Sequence, residues 1–375
     1  MRTVKATAAA VTVALAAGAA SVAAGRLASD AALKAPPNGP LPGDSRLTVH
    51  ATAAGQITLT RDLASLRSGV YGLAGDDLHA VVGPVLEAVP HTADTVVRRL
   101  ERVTYGTPAC GDTVWFTPQV YSGDPRTALG LDFEDVEIPG ELGPLPAWHV
   151  PAARNLWVIA AHGLGTTREL SLNVMEFLHR QQFPVLALAH RGDAGAPRSP
   201  DGLGHLGETE WRDLDAAVRY AVRNGAERVV LHGWSTGATM ALRTAAYSAR
   251  RDRIAGVVLD SPVLDWEATL RALARARRTP GVLLPLAVRA AQGRTRMRGD
   301  RPDAAADPAD VKVPTLVLHS PDDTVAAYGL SRRLADRRTD LVSLRTVPDA
   351  PHGATWNADP AAYEEALRRF LVPLM

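Results

Sequence analysis

The pentapeptide Gly233-Trp234-Ser235-Thr236-Gly237 constrains this chain more than any other segment. It fits the pattern G-x-S-x-G, and its flanks restrict the shape it can take. Before it, Arg228-Val229-Val230-Leu231-His232 is short, apolar and β-branched, as a buried strand is. After it, Ala238 to Ala246 is made of small, helix-compatible residues. A strand that turns sharply into a helix lifts the Ser235 hydroxyl clear of a sheet. The flanking glycines follow from sterics, because a side chain there strikes the neighbouring strand or helix.

A serine hydroxyl is a weak nucleophile and needs a base, an acid to orient the base, and donors for an oxyanion. Around such an elbow the partners follow in the order Ser, Asp/Glu, His. Val313 to His319 reads as a buried strand and runs into Ser320-Pro321-Asp322-Asp323. Asp322 and Asp323 both stand just past its carboxyl end, and adjacent side chains point different ways, so one of them faces the base. Asp260, ending the preceding strand pattern before a proline turn, is a third and weaker candidate. Leu341 to Val347 reads as a further strand and leads into a loop centred on His352. Of the 11 histidines, His352 alone lies on a loop after the acid and before the last helix. His50, His79, His91, His149, His179, His190 and His205 read as solvated or hydrogen-bonded bystanders. His232 and His319 read as packing or supporting groups.

Two backbone N–H groups must converge on the oxyanion. One is expected from Thr236. The other is expected from Leu164, in the turn His162-Gly163-Leu164-Gly165 that follows the apolar run Trp157 to Ala161.

From Asp132 to Leu371 the chain resembles the α/β-hydrolase superfamily. It is similar to exported or membrane-tethered serine hydrolases of actinobacterial type, in the prolyl-peptidase-like branch. The resemblance rests on Gly140 to Pro151 with Trp148, the His162 turn, Ala196 to Gly202, Trp211-Arg212-Asp213, the elbow, Asp260 to Trp266, and Trp356-Asn357. It implies a mainly parallel sheet with helices on both faces and a short helical cap. It also favours Asp323 as the acid, three residues after a small residue, with Asp322 capping the turn. Ser320 departs from the glycine that many relatives carry there.

Other patterns carry less. Gly202-Leu203-Gly204-His205-Leu206-Gly207 matches a dinucleotide fingerprint but follows a proline-containing loop instead of a strand, so no phosphate turn forms. The histidines do not fall at zinc-ligand spacing, and Cys110 is the single cysteine. No metal or cofactor is expected. Arg275 to Arg278 is locally basic, yet no aromatic residue lies between Trp266 and Tyr328 and net charge is only +1, so no nucleic-acid partner is expected.

The N-terminus suggests export. Arg2 and Lys5 precede an uncharged stretch from Ala6 to Gly25, closed by Arg26, the layout of a signal peptide or membrane anchor. Cleavage sites of small-x-small type end at Ala19 and Ala23. The expected organisation is a signal or anchor over 1–26 and a Pro/Gly linker over 27–46. A small mixed, mostly β domain follows over 47–131, with a helix near Asp94 to Val103. An α/β-hydrolase domain fills 132–375, with a cap insertion at about 264–310. In the cap, Leu283, Leu284 and Leu286 are expected either to line an acyl pocket or to pack in the core. The expected activity is hydrolysis of a carboxylic ester, or less readily an amide, through an acyl-enzyme on Ser235, outside the cytoplasm. A serine peptidase is the alternative enzyme, and an envelope-tethered binding protein the alternative from another class.

Overall fold

The computed structural model describes residues 23–36, 38–295 and 310–375. It opens with helix α1 (residues 23–33). Strands β1 (Leu47–Ala53) and β2 (Gln56–Thr60), helix α2 (Leu63–Leu66), and strands β3 (Tyr71–Gly75), β4 (Leu78–Val85), β5 (Thr95–Tyr105) and β6 (Thr113–Thr117) follow. These strands close into an antiparallel barrel in the order β1-β2-β5-β4-β3-β6. Alternation explains its core: Leu47 and Val49 of β1, and Ile57 and Leu59 of β2, are the inward members of period-two patterns.

The helix expected near Asp94 to Val103 is instead β5. The run Arg98-Arg99-Leu100-Glu101-Arg102 favours a helix locally, but Thr95-Val96-Val97 and Val103-Thr104 are β-branched. Pairing with β2 and β4 on both sides supplies the backbone partners that decide the matter. Arg98 turns into the interior and is fully buried. Its guanidinium donates to the carbonyls of Gly83 (2.8 Å), Ser65 (3.1 Å), Arg67 (2.6 Å) and Gly69 (3.0 Å), fixing the chain that leads into β3. Burial pulls its pKa down to about 10, which leaves it charged at neutral pH.

Helix α3 (Pro125–Leu129) leads into the second domain. Its strands are β7 (Glu134–Pro139), β8 (Pro144–Val150), β9 (Leu156–Ala161), β10 (Val185–Leu188), β11 (Arg228–Trp234), β12 (Ile254–Asp260), β13 (Thr315–His319) and β14 (Val342–Thr346). They form one sheet in the order β14-β13-β12-β11-β9-β10-β8-β7. The strands from β9 onward are parallel, and β7 and β8 add an antiparallel edge. Strands β9 and β12 are buried along their whole length, as continuous apolar runs in a two-sided sheet should be.

The helices are α4 (Leu172–Arg180), α5 (Trp211–Arg223), α6 (Thr236–Tyr247), α7 (Trp266–Ala276), α8 (Leu284–Thr295), α9 (Tyr328–Arg337), α10 (Thr355–Ala358) and α11 (Pro360–Leu371). Leu214 and Val218 of α5, Met240 of α6 and Leu334 of α9 pack on one face of the sheet. Phe177 of α4 and Leu367 and Leu371 of α11 pack on the other.

Helix α1 runs through the expected boundary at residues 26–27, so the start of the expected linker is helical. Its small side chains Ala28, Ala31 and Ala32 lie against Leu270 and Leu273 of α7 and Ala287 and Val288 of α8. A Cβ at Gly25 would come within 2.7 Å of the Leu286 carbonyl oxygen. Leu284 packs in this same cluster, and none of Leu283, Leu284 and Leu286 lines the cavities at Ser235 described below. Of the two roles expected for these leucines, packing is the one Leu284 takes. The expected signal or anchor lies mostly outside the described residues. Among the described residues, no helix is long and apolar enough to cross a membrane.

The two domains are bonded together. The Val70 N–H donates to the Asn357 carbonyl (3.0 Å), and the Asn357 amide donates to the carbonyls of Val70 (2.9 Å) and Pro118 (3.0 Å). Gly69 has a left-handed φ of 98°, and a Cβ there would meet the Asn357 oxygen at 2.1 Å.

Arg98→Ala should leave four carbonyls without their donor. Two of these bonds are buried and two partly buried; with about 1–3 kcal/mol for each buried group orphaned, a loss of at least about 2 kcal/mol is expected. Urea unfolding followed by the barrel tryptophan Trp115 measures it, and an unchanged midpoint would refute the assigned role.

Candidate active site

Ser235 sits between β11 and α6 with φ 53° and ψ −116°, a conformation that a non-glycine residue adopts only when its surroundings impose it. The surroundings are visible. The Ser235 N–H donates to the Asp260 carbonyl (2.8 Å), and the Ser235 carbonyl accepts from the Val263 N–H (3.2 Å). A Cβ on Gly233 would lie 2.3 Å from the Gly237 oxygen, and one on Gly237 would lie 2.0 Å from the Ala161 oxygen. Only glycine fits either position, as the sequence pattern required.

The structure brings Ser235, His352 and Asp323 together. Ser235 Oγ lies 2.7 Å from His352 Nε2, and His352 Nδ1 lies 2.7 Å from Asp323 Oδ2. A carboxylate only accepts, so Nδ1 carries the proton and Nε2 is free to receive the one on Ser235. His319 Nε2 reaches the same Asp323 oxygen at 3.1 Å, and His319 Nδ1 meets the Ser331 hydroxyl at 2.7 Å. The other Asp323 oxygen accepts from the backbone N–H groups of Val325 and Ala326, both at 2.8 Å.

Burial works to raise the pKa of Asp323, but the charge of His352 and the bonds from both histidines hold it well below the usual carboxylate range. Burial works to lower that of His352, and the charge and hydrogen bond of Asp323, with smaller contributions from Asp260 and Asp44, raise it overall.

The other carboxylates have different tasks. Asp322 accepts from the Asp349 N–H (2.8 Å), so it ties the acid turn to the loop that carries His352. Asp260 is fully buried and accepts from Thr355 (2.5 Å) and Ser261 (2.9 Å), fixing the chain three residues beyond His352. Burial pushes its pKa up to about 6. His232 bonds to the Tyr363 hydroxyl (2.9 Å), and burial pulls it down to about 3, so it is a neutral packing group.

The two expected oxyanion donors come from turns in contact. Thr236 is the first residue of α6, where backbone N–H groups lack partners within the helix and the dipole favours negative charge. A Cβ on Gly163 would lie 2.5 Å from the Ser235 Cβ and 2.9 Å from the Thr236 nitrogen, so the turn carrying Leu164 presses against the elbow. That turn is braced by His162, whose Nε2 lies 2.7 Å from Asp193 Oδ2.

His162, His190 and Asp193 place their ligand atoms within 4.8 Å of one another. Yet the two imidazoles stack with centroids 4.4 Å apart and planes 17° from parallel. A ring nitrogen binds an ion along its own plane, and two stacked planes do not meet at one point, so the group is better built to share protons. Burial would raise the pKa of Asp193, but the charges of both histidines lower it to about 2.

A cavity of about 50 Å³ opens on Ser235 and His352. Leu41, Tyr71, Trp115, Phe116, Leu164 and Trp234 line it. A second cavity, of about 350 Å³, shares Leu164 to Thr166 and reaches Thr236; Lys34, His190, Arg198 and Glu210 make it polar. The glycines of the 202–207 segment lie in its wall, in a loop. Tyr71, Trp115 and Phe116 belong to the barrel and Leu41 to the linker. Sequence reasoning did not find them, because nothing local in either segment signals a contact with a site over a hundred residues away.

A parallel sheet with a serine elbow, an acid after β13 and a histidine after β14 is decisive. The chain has the α/β-hydrolase fold. Residues 152–301 match the family model described as serine aminopeptidase, S33. Residues 48–117, the barrel, match a model described as a domain of unknown function. The fold is similar to an esterase of Pyrococcus furiosus, 24% identical over 67% of this chain and 94% of that one, with a TM-score of 0.55. A second crystal form of that esterase gives 23% identity, 67% and 96% coverage, and a TM-score of 0.54. A thermophilic esterase of Thermogutta terrifontis is 20% identical, with 64% and 99% coverage and a TM-score of 0.48. No curated protein sequence matches the chain.

The electrostatics can be tested without a substrate. NMR titration should place the His352 midpoint above the 6.5 of an unperturbed imidazole. Asp323→Asn should move it down, and Asp322→Asn should leave it in place. A fall with Asp322→Asn alone would reassign the acid.

Proposed function

We propose that this α/β-hydrolase cleaves a carboxylic ester through an acyl-enzyme on Ser235. The observation that carries the reading is the unbroken chain of hydrogen bonds from Ser235 Oγ through His352 to Asp323, at 2.7 Å and 2.7 Å. Ser235 attacks the ester carbonyl carbon while His352 Nε2 takes the hydroxyl proton. The charge that builds on the carbonyl oxygen is met by the N–H groups of Leu164 and Thr236. As the tetrahedral intermediate collapses, His352 passes the proton to the departing alcohol oxygen. Water then attacks the acyl-enzyme with His352 again as base, releasing the acid and restoring Ser235.

The small cavity beside Ser235 favours an ester of modest size over a long peptide, and the similarity to the esterase fold agrees. The serine aminopeptidase match over residues 152–301 favours the second reading, cleavage of a short aminoacyl amide. Arg2, Lys5 and the uncharged stretch from Ala6 to Gly25 support placing the hydrolase outside the cytoplasm, by a cleaved signal or an anchor.

Purified full-length protein should hydrolyse short p-nitrophenyl esters faster than aminoacyl p-nitroanilides, and the reverse order would favour the peptidase. Ser235→Ala should reduce turnover by several powers of ten, roughly a thousand-fold or more, and should abolish labelling by a fluorophosphonate. Turnover that survives in Ser235→Ala would refute the mechanism. Because His352 must be neutral to act as base and its pKa is raised, kcat/KM should climb with pH through a midpoint above the ordinary imidazole range. A fusion of residues 1–45 to a reporter active only outside the cytoplasm should be active, and a silent, cytoplasmic fusion would contradict export.

A further inference from the structure

We infer that the barrel contributes a substrate-binding residue to the active site: Tyr71 donates a hydrogen bond to an oxygen carried by a short substrate group seated beside Ser235. This deepens the ester-hydrolase reading above and rests on it.

The Tyr71 hydroxyl is buried and has no hydrogen-bond partner among the described residues. Tyr71 is also one of the residues lining the cavity that holds Ser235 and His352. A buried hydroxyl left unpaired is unfavourable, and folds keep such groups mainly where something else completes them. The ring is held firmly for the purpose. It stacks on Phe116 with centroids 5.4 Å apart and planes 6° from parallel, and the Arg98 guanidinium lies 5.9 Å from its centroid. Val70, the preceding residue, is bonded to Asn357, five residues beyond His352, so Tyr71 and His352 are carried on one connected frame. Burial, with the nearby charge of Asp349 adding and those of Arg67 and Arg98 opposing, lifts the phenol to about 12. It therefore remains a donor across the range in which His352 is neutral.

The cavity limits what can sit there. Its volume of about 50 Å³, set against roughly 10–15 Å³ per water-sized group, leaves room for about four non-hydrogen groups. Trp115, Phe116, Leu170 and Trp234 make much of its wall apolar. A short hydrocarbon group fills that space but leaves the hydroxyl unpaired. A group of the same length with an ether, hydroxyl or keto oxygen in place of one methylene completes it. A site built to hydrogen-bond such an oxygen discriminates against the analogue lacking it far better than an apolar pocket counts methylenes.

The test is Tyr71→Phe in the full chain, read with isosteric pairs of esters. On the acyl side the pair is p-nitrophenyl methoxyacetate and p-nitrophenyl butyrate; on the alcohol side it is 2-methoxyethyl acetate and butyl acetate. Intrinsic reactivity cancels when the kcat/KM ratio within a pair is compared between wild type and variant. Tyr71→Phe should lower one of the two ratios about ten-fold or more, and the responding pair tells which half of the ester is seated there. Thermal stability should stay level or rise, because the variant keeps the stacked ring and loses an unpaired hydroxyl. Two unchanged ratios, or a lowered melting temperature with no selective change, would overturn the inference while leaving the hydrolase reading intact. A wild type inactive on all four esters would overturn both.

Discussion

The carboxylate of Asp323 is the fixed point on which this site depends. It is fully buried, which for an ion carries a penalty of several kcal/mol. Four donors offset that penalty: His352, His319 and the backbone N–H groups of Val325 and Ala326. Bonds to a charged acceptor contribute about 1.5–3 kcal/mol each, so the set together offsets a cost of that size. With one oxygen held by the backbone and the other shared by two imidazoles, the carboxylate has no freedom to turn. His352 is then oriented with its proton on Nδ1 and its lone pair toward Ser235. His319, in turn, is fixed by Ser331 on α9, so the alignment reaches through β13 to a helix on the surface of the sheet.

The elbow is the second constraint. A left-handed serine stores strain on the order of 1–3 kcal/mol, and two backbone bonds hold it there, one to Asp260 at the end of β12 and one from Val263 just beyond it. The side chain of Asp260 also anchors Thr355 just beyond His352. Ser235 and the segment after His352 are thus both fastened to Asp260 at the end of β12, one through its backbone and one through its buried side chain.

Much of this was legible in the sequence because it is local. The glycines of 233–237 state a steric requirement that any reader can apply, and the spacing of β13 and β14 places an acid and a histidine at the same sheet edge. The choice of Asp323 over Asp322 came from a resemblance and not from the residues, and geometry now separates them: one faces His352, the other holds Asp349. The barrel was harder to read. Arg98 is unreadable as a core residue until the carbonyls around it are seen, and its neighbours favour a helix. Helix α1 was hidden for the opposite reason: its alanines carry almost no periodic signal, and only the close approach to α7 and α8 explains them. Least legible was the cavity wall, where Leu41, Tyr71, Trp115 and Phe116 meet Ser235 through folding of one domain onto another.

Joining the barrel to the segment after His352 through Val70 and Asn357 makes the two domains one frame around Ser235 and His352, with both domains lining the cavity there. The mechanism proposed for that frame is covalent, with Ser235 carrying the acyl group between attack and release. Rapid acid quench of the enzyme turning over p-nitrophenyl acetate, followed by peptide mass spectrometry, tests it directly. The account predicts an acetyl adduct on the peptide containing Ser235, absent from Ser235→Ala. Sustained turnover with no adduct at any quench time, or with the acetyl group on another residue, would contradict it.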